Sequence, residues 1–497
     1  MALPVPDLDD RRFQDLVDDA KRLVQQRCPE WTDHNVSDPG VTLIELFAWM
    51  TEQVVYRLNR VPDRLHTTFL DLLGVTTFPA TAARVPQTFW LSAPQPTAVV
   101  VPGGTQVSTP RPPGGDPVVF TTVEDLVLPS VTLAHVRTVD AEGTGRDARG
   151  ALLRGDGVAC FSTPPQEGDA LLLGLSEPAS GCAVALALDC STAGVGVDPE
   201  DPPLVWEAWT TDGWAECEVE RDGTGGFNKP GDVLVHVPRG HLTSALGRSR
   251  AAWLRVRVVE ARPDQPGYSA SPLLHAAEAA VVGGTVPAVH ADRVLGEVVG
   301  TSEGVAGQRF TLQHAPVVPG EGPVVVEVAE PQQEGGTAWR AWEVVTDFGD
   351  SGPLDRHVVL EQRTGELAFG PVVREPDGGV RQLGRVPEAG AVVRVREYRT
   401  GGGAHGNVGP GTLAVLTSSL PYVSEVVNRR AAAGGRDAED VEQAKARGPV
   451  VLRHRGRAVT AEDFEHLARA AAPEVARVRA VAAGEGAQAG GVRVLVV

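Results

Sequence analysis

Five places in this chain carry residue types that could do chemistry, and each has a competing structural reading. GTSEG at 300–304 fits the G-x-S-x-G nucleophile pattern, which needs a strand before the serine and a helix after it. The run after it, VAGQRFTLQHAPVV, has a strand pattern, so Ser302 reads as a turn residue. GDSGP at 349–353 presents Ser351 in a context known from serine proteases, but no histidine stands in a matching upstream context. Asp33, His34 and Asp38 combine carboxylate and imidazole donors that can hold a divalent metal. Asp and Asn ahead of a proline more often close side-chain-to-backbone turns. GGGAHGNVG at 401–409 has glycines for close backbone approach but neither the Lys-Ser/Thr of a P-loop nor dinucleotide spacing. Glu45 and Glu52, two helical turns apart, form a conceivable acid/base pair, against which stands the simpler reading of acids paired with Arg57, Arg60 or a partner's arginine. No catalytic group, cofactor or metal is expected.

The elements that must position these residues begin with three helices. Phe13, Leu16, Val17, Ala20, Leu23 and Val24 recur at helical spacing behind the acidic LDDRR. Asp38 is a ready N-cap and Pro39 suits the first helical position, so a second helix starts near Gly40. It has two faces: Leu43, Phe47, Met50, Val54 and Leu58 on one, Glu45, Trp49, Glu52, Tyr56 and Asn59 on the other. Large aromatics interleaved with carboxylates on the second face imply that this side too is covered, and that it is a partner interface. Pro62 opens a third helix along Leu65, Phe69 and Leu72, which Gly74 stops.

Beyond Gly74, short apolar runs such as VPQTFWLS, TAVVVP, DPVVFTT and LVLPSVTLAHV between Gly and Pro read as strands. Segments 143–157 and 196–203 read as exposed loops. Four blocks recur in order. VWEAWTTDGW, EVERDGTGGF, VPRG and AAWLRVRVVE at 205–260 match AWRAWEVVTDF, VLEQRTGELAFG, VPEAG and VVRVREY at 338–398. They imply two duplicated β-modules, with Trp206 on Trp339 and Phe227 on Phe369; chance likeness among hairpins is the alternative. RTGGGAHGNVGPGT reads as a flexible link. RDAEDVEQAKARG and TAEDFEHLARAAA then read as amphipathic helices, the second with a Thr460/Asp463 capping box, and EVARVRAVAA and GVRVLVV as strands. The polar rim of that second helix, Glu462, Asp463, Glu465, His466 and Arg469, is another candidate interface.

The expected fold class is therefore α+β and multidomain. A helical segment spans 1–78. A β-rich domain at 79–285 holds the first module (204–260), and 286–400 holds the second (337–398). A Gly-rich link and a small α+β domain occupy 401–497.

Composition excludes several functions. A net charge of −19 over 497 residues, with only Lys21, Lys229 and Lys445 as lysines, offers no basic patch for nucleic acid. Five cysteines without a C-x-x-C or companion histidines fit free thiols in a reducing compartment. No apolar run approaches the ~20 residues that span a bilayer, and MALPVPDLDD lacks signal-peptide features. Synthesis in the cytoplasm without membrane insertion is expected.

The runs DHNVSDPGVTLIELFAWMTE, YRLNRVPDR and FLDLLG, then YRTGGGAHGNV (398–408) and GRAVTAEDFEHLARAAAPEVARVRA (456–480), resemble in order the baseplate J-like wedge proteins of contractile phage tails and extracellular contractile injection systems. The resemblance implies a structural role rather than an enzyme. It implies partnership with a second wedge protein through an N-terminal helical core bundle. Six wedges would close into a ring around hub and spike proteins through copies of this chain, coupled to contraction of the sheath. A β-rich hydrolase and a stand-alone carbohydrate-binding module or adhesin are the alternatives from other classes.

Overall fold

The computed structural model describes residues 9–32, 35, 37–59, 70, 72–75, 77–193, 196–263, 265–320, 322–331, 337–375, 378–454, 456–472, 475, 477–484 and 490–497. The chain divides into two compact units: Met1–Pro79 with Asp437–Val497, and Ala80–Arg436. The class is mixed α+β and β-rich, as the sequence implies.

In the first unit, α1 (Phe13–Arg27) and α2 (Pro39–Asn59) pack on each other. The carboxylate of Asp38 accepts from Gly40 N at 2.7 Å and Val41 N at 3.2 Å, satisfying donors that the first helical turn leaves free. The third expected helix falls almost wholly outside the described residues; Gly74 has the left-handed φ of +76° that its stop requires. Leu70, Val75 and Ala444 form a small buried cluster. Glu439 braces this part of the unit, accepting from Phe78 N at 3.0 Å and from both Arg447 Nε and Nη2 at 2.9 and 2.8 Å. The same guanidinium lies 4.1 Å from the centre of the Phe78 ring. Of the helices near the C-terminal end, Val441–His454 runs on through Pro449, past the end its sequence suggests, and Ala461–Ala471 begins at the expected capping box. Thr460 Oγ1 accepts from Asp463 N at 3.2 Å, and Asp463 Oδ2 from Thr460 N at 2.8 Å.

The second unit is built from three large sheets. A ten-stranded sheet centres on the long strand Leu273–Val289, flanked by Cys182–Ser191 and Arg84–Leu91. A seven-stranded sheet runs Gly213–Glu216, Leu204–Thr210, Ser249–Val258, Ala170–Leu175, Leu133–Val139 and Gly145–Asp147, with Thr243–Leu246 at its side. Their facing sides share one core, and strand alternation sorts the residues: Leu171, Leu173 and Leu175 enter it, whereas Ala170 and Leu172 join Trp253 on the opposite face. The eight-stranded sheet has its own core around Trp342, Phe369, Val326 and Val395.

Segment 143–157, expected as an exposed loop, contains a strand and the short helix α3 (Arg149–Arg154). Its arginines and glycines mask the anchors Ala148 and Leu152, which are buried one helical turn apart. The Gly-rich stretch, expected as a flexible link, is anchored: Gly402 N donates to His290 O at 3.1 Å and Gly403 N to Thr81 O at 2.9 Å. Asn407 and Gly435 exchange two further bonds of 2.8 Å. The glycines serve close approach, since a Cβ on Gly402 would meet Thr81 O at 2.9 Å.

The expected superposition of Trp206 on Trp339 does not hold. Leu204–Thr210 lies between Gly213–Glu216 and Ser249–Val258, whereas Thr337–Val345 lies between Val325–Pro331 and His357–Glu361. Shifting the comparison by one hairpin restores a common order. In both segments a tryptophan strand flanks a glutamate strand, which flanks the Val/Arg strand. Glu207 is opposite Arg255 in one and Glu327 opposite Arg394 in the other. The guanidinium of Arg255 lies 4.2 Å from the Trp214 ring and that of Arg394 3.7 Å from the Trp339 ring. Trp214, not Trp206, is thus the counterpart of Trp339. Phe227 and Phe369 are both buried, each against a tryptophan, Trp206 at 6.2 Å and Trp342 at 5.0 Å. The sequence match misassigns the tryptophans because both segments carry a W-x-x-W spacing on different strands.

All five cysteines are free; Cys160, Cys182, Cys190 and Cys217 are buried, and Cys28 is exposed. Burial pushes the thiols of Cys182, Cys190 and Cys217 up to about 12. Thiolate is the reactive form, so a thiol reagent at pH 8 is expected to titrate one group rapidly in the native protein and five in denaturant. A Cys28→Ser variant showing the same fast phase would contradict this.

Candidate partner interface

The two faces of α2 are disposed otherwise than their composition suggests. Val41, Ala48 and Val55 are buried, and Glu45, Glu52 and Asn59 beside them are half-buried. The Oε1 of Glu52 accepts from Phe13 N at 2.9 Å, so it caps the first residue of α1; Arg60, one of its expected partners, lies outside the described residues. Asn59 accepts from Asp9 N at 3.3 Å and donates from Nδ2 to Asp9 O at 2.9 Å. Of the five residues read as a partner face, Glu52 and Asn59 are thus tied by these bonds to other parts of the chain. Trp49 and Tyr56 lie on its flank and are exposed.

The apolar face is the one left open. Leu43, Phe47, Met50, Val54 and Leu58 are all more than half exposed, Phe47 at 66%, with Leu46 and Trp49 widening the stripe. Soluble domains seldom present a contiguous apolar strip of this kind unless something covers it. Its spacing of i, i+4, i+7, i+11 and i+15 is that of a helix offering knobs to a bundle.

On the second candidate surface, the helix Ala461–Ala471, four of the five polar rim residues have partners within the chain. Asp463 is buried in the capping box, and its carboxyl lies below the usual carboxylate range chiefly because Thr460 N–H donates to it. Glu465 accepts from Ala480 N at 3.0 Å and Arg469 donates to Val478 O at 3.4 Å, tying the helix to the hairpin Val478–Ala482/Val492–Val496. Glu462 is exposed and pairs with Arg453 at 2.9 Å. His466 is half-buried, and burial lowers its pKa.

The nucleophile patterns resolve into turns. Ser302 is buried; its hydroxyl donates to Pro387 O at 3.0 Å and accepts from Gly304 N and Gln308 Nε2. Ser351 is buried too. Its Oγ bonds His357 Nδ1 at 2.9 Å, with Glu343 3.9 Å beyond Nε2, a line of groups that sequence reading missed because the histidine lies downstream. The N–H of Gly352, next to Ser351, donates to Asp355 at 2.8 Å, so hydroxyl and neighbouring amide are both engaged within the turn. Asp33 and His34 lie outside the described residues, and among the described residues no group of three or more His, Cys, Asp or Glu could hold a metal. Also among them, no helix is long and apolar enough to cross a membrane.

No family model matches the chain, and no curated protein matches it. Two solved structures are similar in part. One is a chain of the type VI secretion system TssK-TssF-TssG baseplate subcomplex, at 12% identity and a TM-score of 0.36, covering 92% of this chain and 88% of that one. The other is a chain of the anti-feeding prophage (AFP) baseplate, at 11% identity and a TM-score of 0.28, covering 93% of this chain and 58% of that one.

Proposed function

We propose that this chain is a structural subunit of the baseplate of a contractile injection system or phage-like tail, a wedge protein. The observation that carries the reading is the uncovered apolar stripe of α2, in the segment where the resemblance to J-like wedge proteins is densest. A second wedge protein covers this stripe in a mixed helical bundle. The small α+β domain at the C-terminal end meets the neighbouring wedge, with Glu462 and His466 on its remaining polar surface, and the ring so closed surrounds hub and spike and follows the sheath on contraction.

The test is electron microscopy of native particles from cells with and without this gene, combined with co-purification from cells expressing the whole particle. Loss of the baseplate, with sheath and tube proteins still made, is the expected result. Intact particles in the deletion strain would remove the proposal. A second arm deletes residues 456–497, which leaves Glu439 against Phe78 and Ala444 against Leu70, with the expectation that wedges still form and fail to close into rings.

A further inference from the structure

The two tryptophan, glutamate and arginine ladders of the second unit share a register but carry different neighbours. Trp214 is directly opposite Trp209 in its sheet, whereas Trp339 is directly opposite Ala329 in the other. Trp209 and Ala329 each stand two residues after the ladder glutamate, Glu207 or Glu327, so strand alternation puts them on the face that carries the arginine and the tryptophan. The Val/Arg strands differ in the same way: two residues before Arg255 is Trp253, and two before Arg394 is Val392. On the far side of these strands, Arg255 is opposite Leu172 and Arg394 is opposite Val298.

One face is therefore filled from within the chain and its counterpart is not. In the seven-stranded sheet, Trp209 meets Trp214 edge-on at 5.3 Å, and both pack with the fully buried Trp253 on the cluster that holds Leu172, which is 4% exposed. In the eight-stranded sheet the positions of Trp209 and Trp253 carry only the methyl of Ala329 and the isopropyl group of Val392. Val298, the counterpart of Leu172, is 54% exposed, and Trp339 is 39% exposed with the guanidinium of Arg394 against its ring. The cation–π contact fixes the indole, and the small residue opposite it leaves its edge open to a second ring. Aromatic side chains seated in such positions carry much of the binding energy of protein interfaces.

We infer that this face of the eight-stranded sheet docks a different protein of the same particle, one that sets an aromatic side chain edge-on against Trp339 above Ala329, as Trp209 is set against Trp214 within the chain. The source of that partner rests on the baseplate reading; the surface and its chemistry do not. The test places the photo-crosslinker p-benzoylphenylalanine at the exposed Val298 of the full chain in cells making the whole particle, and maps the adduct by mass spectrometry. The expected adduct is on one other particle protein, in a peptide containing Trp, Tyr or Phe. Its yield is expected to fall about tenfold or more in Trp339→Ala, which removes the anchor, and in Ala329→Trp, which fills the notch from within. Ala329→Trp is also expected to keep or raise the thermal midpoint of the purified chain, so that its lost adduct is not a folding defect. A lowered midpoint in Ala329→Trp, a yield unchanged in either variant, an adduct on a second copy of this chain or on a peptide without an aromatic residue, or no adduct at all overturns the inference. Absence of the wild-type chain from purified particles overturns the baseplate reading and the inference with it, whereas its presence without the expected adduct overturns the inference alone.

Discussion

Replacing Phe47 with aspartate is expected to abolish assembly while leaving the chain folded. Phe47 is exposed and sits mid-stripe between Leu43 and Met50, so a charge there costs the free protein little. In a closed helical bundle the same carboxylate would be desolvated without a partner, and the apolar contact of the bundle would be lost. Truncating a central anchor of an interface typically costs at least about 2 kcal/mol, roughly thirtyfold in affinity, and a buried charge adds to that. Co-purification of the covering partner should fall accordingly, and the variant, with its apolar strip interrupted, should be more soluble than the wild type. Glu45→Gln is the contrasting substitution: it lies on the half-buried side of α2 and should leave co-purification unchanged. Assembly that tolerates Phe47→Asp and is lost in Glu45→Gln would return the interface to the polar face.

Trp342→Ala and Trp339→Ala are expected to differ sharply although they stand only one helical turn's worth of sequence apart on the same strand. Trp342 is 2% exposed and packs on Phe369 at 5.0 Å within the core of the eight-stranded sheet. Removing it opens a cavity at a cost of about 3–5 kcal/mol. Trp339 is 39% exposed, and its ring is covered by the guanidinium of Arg394; its loss should cost about 1 kcal/mol or less. Urea unfolding of the full chain, followed by near-UV circular dichroism, reads the difference. Equal losses would make Trp339 a core residue, as Trp206 is, and overturn its assignment as the counterpart of Trp214.

Much of the architecture was legible in the residues because it depends on local chemistry. Asp38 and Pro39 start α2, and Thr460 with Asp463 starts the helix Ala461–Ala471, since capping uses donors and acceptors within four residues of each other. The Val/Arg alternation of LRVRV and VVRVR marks strands with one buried face, and both are strands that bury valines between their arginines. The two faces of α2 were likewise readable from spacing alone.

Which face α2 keeps open was not. Glu52 reads as an acid in need of an arginine or a partner, and nothing in its neighbourhood reveals that the N–H of Phe13, 39 positions away, claims it. The tryptophan pairing failed for the same reason: W-x-x-W is a local pattern, while the strand that lies beside it is chosen by the sheet. The bulge at Arg396 belongs there too, since only the pairing of Val325 with Glu397 and of Val326 with Val395 reveals it. Sequence by itself determined the caps, turns and alternating faces, whose energies are settled within a few residues. Tertiary structure alone decided which polar group meets which donor and which apolar face stays uncovered, because those depend on contacts between residues far apart in the chain.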